Sequence, residues 1–298
     1  MSPIYRTCLF VLAALLVCTN ARSASSLRND RWPAFSPNGA LVAFQRSQSG
    51  AMNVFVSDSQ GMGQRRLTDG SGGVLSMAPA WFPNGQTLVY TTTNRQGDYG
   101  SGSFYEMAKS GGESRRIAPA GERGRSISPD GRSLLFLSKQ WEVLKLDLRT
   151  GSVTTLTHPA AGTLDTEAMW SPDGTKIAFG CGYQDSTKLG PICIMNADGS
   201  EKHVISNWPG ANEWPTWSPD GKQIAFQSDT DDFTRGQIVV CNADGTAPHA
   251  ISTSTGYDLN ETPDWSQNGR WIALQVKTQD GYRIGLIRPS GSDFHLIT

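Results

Sequence analysis

One turn phrase is written six times along this chain, and its spacing constrains the fold more than any other feature. It reads Phe35-Ser36-Pro37-Asn38-Gly39, Trp81-Phe82-Pro83-Asn84-Gly85 and Ile127-Ser128-Pro129-Asp130-Gly131. It recurs as Trp170-Ser171-Pro172-Asp173-Gly174, Trp217-Ser218-Pro219-Asp220-Gly221 and Trp265-Ser266-Gln267-Asn268-Gly269. Successive glycines are 46, 46, 43, 47 and 48 residues apart. A fixed period of this length is the signature of sheets repeated around an axis.

The unit can be read from its fifth copy. Residues 213–217 form a short strand, and Ser218-Pro219-Asp220-Gly221 reverses the chain. Proline presets φ at the second turn position, and glycine accepts the positive φ that closes the hairpin. Residues 224–228, 238–242 and 250–252 supply three further strands, with Asn242-Ala243-Asp244-Gly245 as a second tight turn. Turns this short leave no room for a crossover helix, so the strands are antiparallel. The expected fold is all-β: a six-bladed β-propeller of four-stranded antiparallel blades. The blades are expected at residues 28–68, 74–118, 120–157, 163–206, 210–252 and 258–298. Each draws its strands from its own segment, so blades 1 and 6 should close the ring by packing, without an exchanged strand.

The first residues read as a secretory signal peptide, residues 1–23. Arg6 is the positive region, residues 8–18 are an apolar run, and small residues flank a cleavage point near Ser23 or Ala24. The run is too short to span a bilayer as a helix. A lipoprotein reading would anchor Cys18, but Val17 directly before it is a poor fit. The expected location is periplasmic or secreted. Removing the leader takes away Arg6 and Arg22 and no acid, moving the formal charge from −1 to −3. That balance argues against a nucleic-acid partner. The propeller, residues 24–298, is expected as a single domain and a monomer.

Cysteine and histidine carry little chemistry. Cys181 and Cys193 flank one hairpin loop and could bond in an oxidising compartment, or stand as two buried thiols. Cys241 has no candidate partner. His203, His249 and His295 each fall four residues after a turn glycine in three different blades. Equivalent positions around a ring cannot converge on one metal or substrate.

The repeated polar feature is acidic. Asp30, Glu122, Asp165 with Glu167, Glu213 and Glu261 precede or open the first strands. The first strand of a propeller blade is innermost, so these carboxylates are expected to cluster at one channel mouth. Such a cluster would favour calcium or a basic partner segment; otherwise each carboxylate caps a loop or accepts backbone N–H bonds. No other cofactor is expected. Trp81, Trp170, Trp217 and Trp265 share one repeat position and should pack between blades. Trp32 and Trp214 share an earlier position, either as contact anchors at the mouth or buried between blades.

Trp-Ser-Pro-Asp-Gly followed by Ile-Ala-Phe, with Met195-Asn196-Ala197-Asp198-Gly199-Ser200, resembles the WD-like propeller repeat of the TolB family. Asn212-Glu213-Trp214-Pro215-Thr216-Trp217 and Asn260-Glu261-Thr262-Pro263 resemble that family's acidic lead-in. The resemblance covers all six units. The TolB N-terminal α/β domain is expected to be lacking, because the first unit opens just after the leader. The resemblance implies a periplasmic, non-enzymatic protein that binds the peptidoglycan-associated lipoprotein at its channel mouth. The expectation is therefore an exported protein-interaction module of a bacterial envelope. It would contact its partner through Asp30, Trp32, Asp165, Glu167, Glu213, Trp214 and Glu261. The alternative is a carbohydrate-active enzyme, a lyase or glycosidase, using channel carboxylates as acid and base.

Overall fold

The computed structural model describes residues 28–94, 102–118, 122–182, 190–206, 208–229, 235–258 and 260–298. The expected leader, its expected cleavage point and Cys18 lie outside these residues. The described strands form six four-stranded antiparallel sheets, each ordered as its strands occur in the chain. The innermost strands are Asn29–Phe35, Leu75–Trp81, Glu122–Ile127, Ala168–Trp170, Ala211–Trp217 and Asn260–Trp265. Among the described residues no helix is long and apolar enough to cross a membrane.

The turn phrase works as its composition predicts. In blade 1 the Gly39 N–H donates to the Ser36 carbonyl at 2.7 Å, and Ser36 Oγ bonds Asn38 Oδ1 at 2.8 Å. The six phrase glycines have φ between 62° and 73°, where a side chain would be strained. In the aspartate copies the serine hydroxyl donates to the carboxylate, as Ser128 does to Asp130 at 2.5 Å. That bond holds the Asp130 carboxyl below its ordinary range, with backbone N–H help. These acids belong to the turns.

The core lies between blades rather than inside any one sheet. Trp81 packs with Ala34, Val54, Val56 and Leu67 of the preceding blade, and its indole N–H donates to the Ala34 carbonyl at 3.0 Å. Trp170, Trp217 and Trp265 repeat that packing two, three and four blades on. The sequence expectation for these four tryptophans matches their positions. The ring closes through Phe35, Val42 and Phe44 of blade 1 against Ala273, Ile284, Leu286 and Ile297 of blade 6. At the outer rim Gly61 meets the Ile297 backbone so closely that an added Cβ would stand 1.9 Å from its carbonyl oxygen. Only glycine fits there.

Candidate functional site: the plugged channel and its mouth

The inner strands carry a repeated irregularity that aims side chains at the axis. Their pairing with the second strands shifts register between Arg31 and Ala34, Met77 and Ala80, Glu213 and Thr216, and Glu261 and Asp264. At each shift one residue takes a left-handed backbone: Trp32 (φ 54°), Ala78 (52°), Trp214 (55°) and Thr262 (49°). A bulge of this kind re-aims the side chain that follows it. Two of these strained residues are held by glutamines of the preceding blade. Gln275 Oε1 accepts the Trp32 N–H at 3.1 Å, and Gln227 Oε1 accepts the Thr262 N–H at 2.9 Å.

The consequence is a closed bore. Trp32 and Trp214 lie with ring centroids 5.6 Å apart, tilted by 36°. They belong to blades 1 and 5, which blade 6 separates, so the rings meet at the axis. Both are 9% exposed, and Met52, Leu75, Met77 and Ala78 complete the cluster. The burial reading holds for Trp32, which packs against Leu75, Met77 and Ala78 of the neighbouring blade 2, and its contact with Trp214 carries the pair to the axis. The left-handed backbone swings them into the channel.

Blade 3 adds a cation to this plug. The Arg125 guanidinium lies 5.3 Å from the Trp214 ring centroid and donates to the Pro33 carbonyl at 2.8 Å. It occupies the repeat position that holds Pro33, Pro79, Pro215 and Pro263 in other blades. Burial lowers its pKa, while the Asp264 and Glu167 carboxylates oppose that shift. Asp264 in turn accepts the Phe35 N–H at 2.7 Å, and burial pushes its carboxyl up to about 6. Asp264 and Arg125 line a cavity of about 250 Å³ on the turn side of the plug, rimmed by Pro37, Pro83, Pro129 and Pro172. Sequence reasoning missed both. Their signal was polar residues at positions that are apolar, small or proline in the other copies.

On the strand-start side the expected acids do not form one ring. They occupy three successive repeat positions, and their environments differ. Asp30 is fully enclosed and bonds Arg46 at 2.6 and 2.9 Å and Arg28 at 2.7 and 2.9 Å. Asp165 is equally enclosed, accepting the Gly182 N–H at 3.1 Å with Lys202 Nζ 3.5 Å away. Glu167 faces the axis near Arg125 and is 3% exposed. Glu213 and Glu261 keep partial exposure. Glu261 accepts a bond from Gln275 Nε2, and burial raises its pKa. The mouth is thus a mosaic in which basic side chains cover enclosed acids. Among the described residues no three His, Cys, Asp or Glu side chains come together as metal ligands.

The remaining polar groups serve local structure. His203, His249 and His295 each sit 2.8–3.2 Å from the carbonyl two residues earlier, in three blades. Those earlier residues, Glu201, Ala247 and Asp293, all have positive φ. Cys181 and Cys193 form a disulfide with Cα atoms 5.7 Å apart. Cys241 is a buried free thiol, and burial pushes it up to about 11.

The family described as TolB beta propeller domain matches residues 14–190 and 167–298. The chain belongs to that family. Protein TolB homolog of Chlorobium luteolum is 31% identical over 150 residues, covering 49% of this chain and 31% of that protein. Uncharacterized peptidase YuxL of Bacillus subtilis is 24% identical over 215 residues, covering 68% of this chain and 30% of that protein. The chain therefore spans about a third of the length of these two relatives. The crystal structure of TolB from Acinetobacter baumannii superposes with a TM-score of 0.67 at 21% identity, covering 89% of this chain and 61% of that one. This TolB-type propeller accordingly shares the fold of that structure.

Proposed function

We propose that this TolB-type propeller is a non-catalytic docking module of a bacterial cell envelope, exported to the periplasm. Its binding face is the strand-start mouth, and its partner is a peptidoglycan-associated lipoprotein. The observation that carries this reading is the Trp32–Trp214 plug with Arg125 behind it. A bore closed just beneath its rim offers a floor for a protein surface rather than a deep cleft for a polymer. Rigid strands around that floor suit recognition.

The roles within the face differ. Glu213 and Glu261 reach solvent and make direct contact. Asp30 and Asp165 hold Arg28, Arg46 and Lys202 in place, so the enclosed acids orient basic side chains towards the partner. Trp32 and Trp214 support the floor. Calcium has no part in this reading.

The test is calorimetric titration of purified peptidoglycan-associated lipoprotein into the mature chain. Saturable one-to-one binding that weakens at least roughly tenfold in Glu213→Ala/Glu261→Ala, with the thermal midpoint retained, supports the assignment. Unchanged affinity removes the site, and absence of binding by the unaltered chain removes the partner.

A further inference from the structure

Away from the axis, on the strand-start side, blades 5 and 6 enclose a cleft of about 810 Å³. Trp208 and Tyr257 line it, with Asp229, Asp258, Asn260 and Arg235 as its main polar contributors. Tyr257 is fixed by an edge-on contact with Phe294, ring centroids 5.9 Å apart. Asn260 is fixed by Nδ2 bonds to the Tyr257 carbonyl at 2.8 Å and the Gly236 carbonyl at 3.2 Å. The Gly236 N–H donates to the Asp258 carbonyl at 2.8 Å, tying the two blades together beside the opening. The walls are held before any ligand arrives.

Asp229 is the feature that those ties do not explain. It ends the second strand of blade 5, Gln223–Asp229, between Ala211 and Gly236, and it is 4% exposed. Its Oδ2 accepts a bond from Gln227 Nε2 at 2.6 Å. Among the described residues its buried Oδ1 has no hydrogen-bond partner. Leaving a buried carboxylate oxygen unpaired is costly. The backbone is shaped around this residue too: a Cβ on Gly210, at φ 106°, would stand 2.2 Å from the Asp229 carbonyl oxygen. Burial and the nearby Glu261 push the carboxyl up to about 7, with the Gln227 bond acting against them.

We propose that this cleft binds a small organic ammonium ion, its N–H groups pairing with Asp229 Oδ1 and its carbon skeleton lying between Trp208 and Tyr257. A cationic donor supplies what Oδ1 lacks, and a desolvated ion pair with hydrogen bonds is stronger than a neutral contact. The aromatic walls add cation–π attraction and apolar contact. Among the described residues lining the cleft, Asp229 and Asp258 outnumber Arg235. A cleft of this volume suits a ligand of drug-like size or smaller. The site is distinct from the proposed protein-docking mouth and stands or falls independently of it.

The experiment is calorimetric titration of the full mature chain at pH 8 in phosphate buffer, where Asp229 is ionised. The probes are phenethylammonium chloride and butylammonium chloride, with 2-phenylethanol and methyl β-glucopyranoside as uncharged comparisons. Both ammonium salts should bind saturably, and 2-phenylethanol at least roughly tenfold more weakly. Asp229→Asn should weaken ammonium binding by at least about tenfold. Thr253→Arg, which adds bulk and positive charge at an exposed rim position, should abolish it without touching the core. Equal binding of the alcohol and the ammonium ion, or full affinity in either variant, overturns the proposal. So does preferential binding of the glucoside, or failure of both ammonium salts to bind.

Discussion

The Asp264 carboxylate accepts the Phe35 N–H at 2.7 Å, so the last blade is tied to the first at the axis by a side-chain acid. Ser126 and Thr216 do the same for Trp170 and Trp265 with hydroxyls, at 3.0 and 3.3 Å. Of these three bonds only the one at the closure has an ionisable acceptor, and that gives the ring a pH response.

Asp264 titrates at about 6 and Asp229 at about 7, both raised from 3.8 by burial. The folded chain therefore holds protons at pH values where the unfolded chain has released them. The stabilisation is complete below about pH 4 and is lost as pH rises through 6 and 7. The loss is on the order of a few kcal/mol. Urea midpoints should fall between pH 5 and pH 8, and Asp229→Asn/Asp264→Asn should flatten that fall. A midpoint that rises over this interval would contradict the assignment.

Arg125 should be costly to neutralise. Arg125→Met removes a cation beside Asp264 and Glu167 and a donor to the Pro33 carbonyl. The expected destabilisation is about 3–5 kcal/mol, measured by urea unfolding. Adding Asp264→Asn to Arg125→Met should recover part of it, because one stranded charge is removed.

Trp32 and Trp214 should behave as one unit. Either change to alanine should cost about 3–5 kcal/mol through cavity formation at the axis. The double variant should cost clearly less than the sum, since each ring is the other's packing partner. Strict additivity in a double-mutant cycle would mean that the rings do not support each other in solution.

The Cys181–Cys193 disulfide should contribute about 3 kcal/mol by restricting the unfolded chain. Dithiothreitol should lower the thermal midpoint of the native chain and leave Cys181→Ser/Cys193→Ser unaffected. Cys241 should react with a thiol reagent only after unfolding, because it is buried and its thiol is held protonated.

The sequence made the blade count and the between-blade tryptophans legible because both are written at a fixed period. It also exposed the histidines as local features, since His203, His249 and His295 share one repeat position. The axis was less legible. Their shared repeat position set Trp32 and Trp214 apart, but a non-glycine residue at positive φ leaves no mark in an apolar pattern, so nothing showed that the two rings meet. The acids stand at three successive repeat positions, and adjacent strand positions face opposite ways, so their environments differ. Asp30 and Asp165 then met basic partners that no spacing announced. Arg125 and Asp264 were visible as departures from the repeat, but their meeting joins segments far apart in the chain. The disulfide needed two strands in register beside one loop, and the sequence left two outcomes open.

The contact of Trp32 with Trp214 has a mechanical consequence. Six wedges joined only along shared walls form a hoop that can ovalise, each wall yielding a little. A strut between blades 1 and 5, and a second from Arg125 of blade 3 to Pro33 of blade 1, fix two chords of that hoop. The rim is thereby kept round, and the inner strands that frame it hold constant separations whether or not anything is bound.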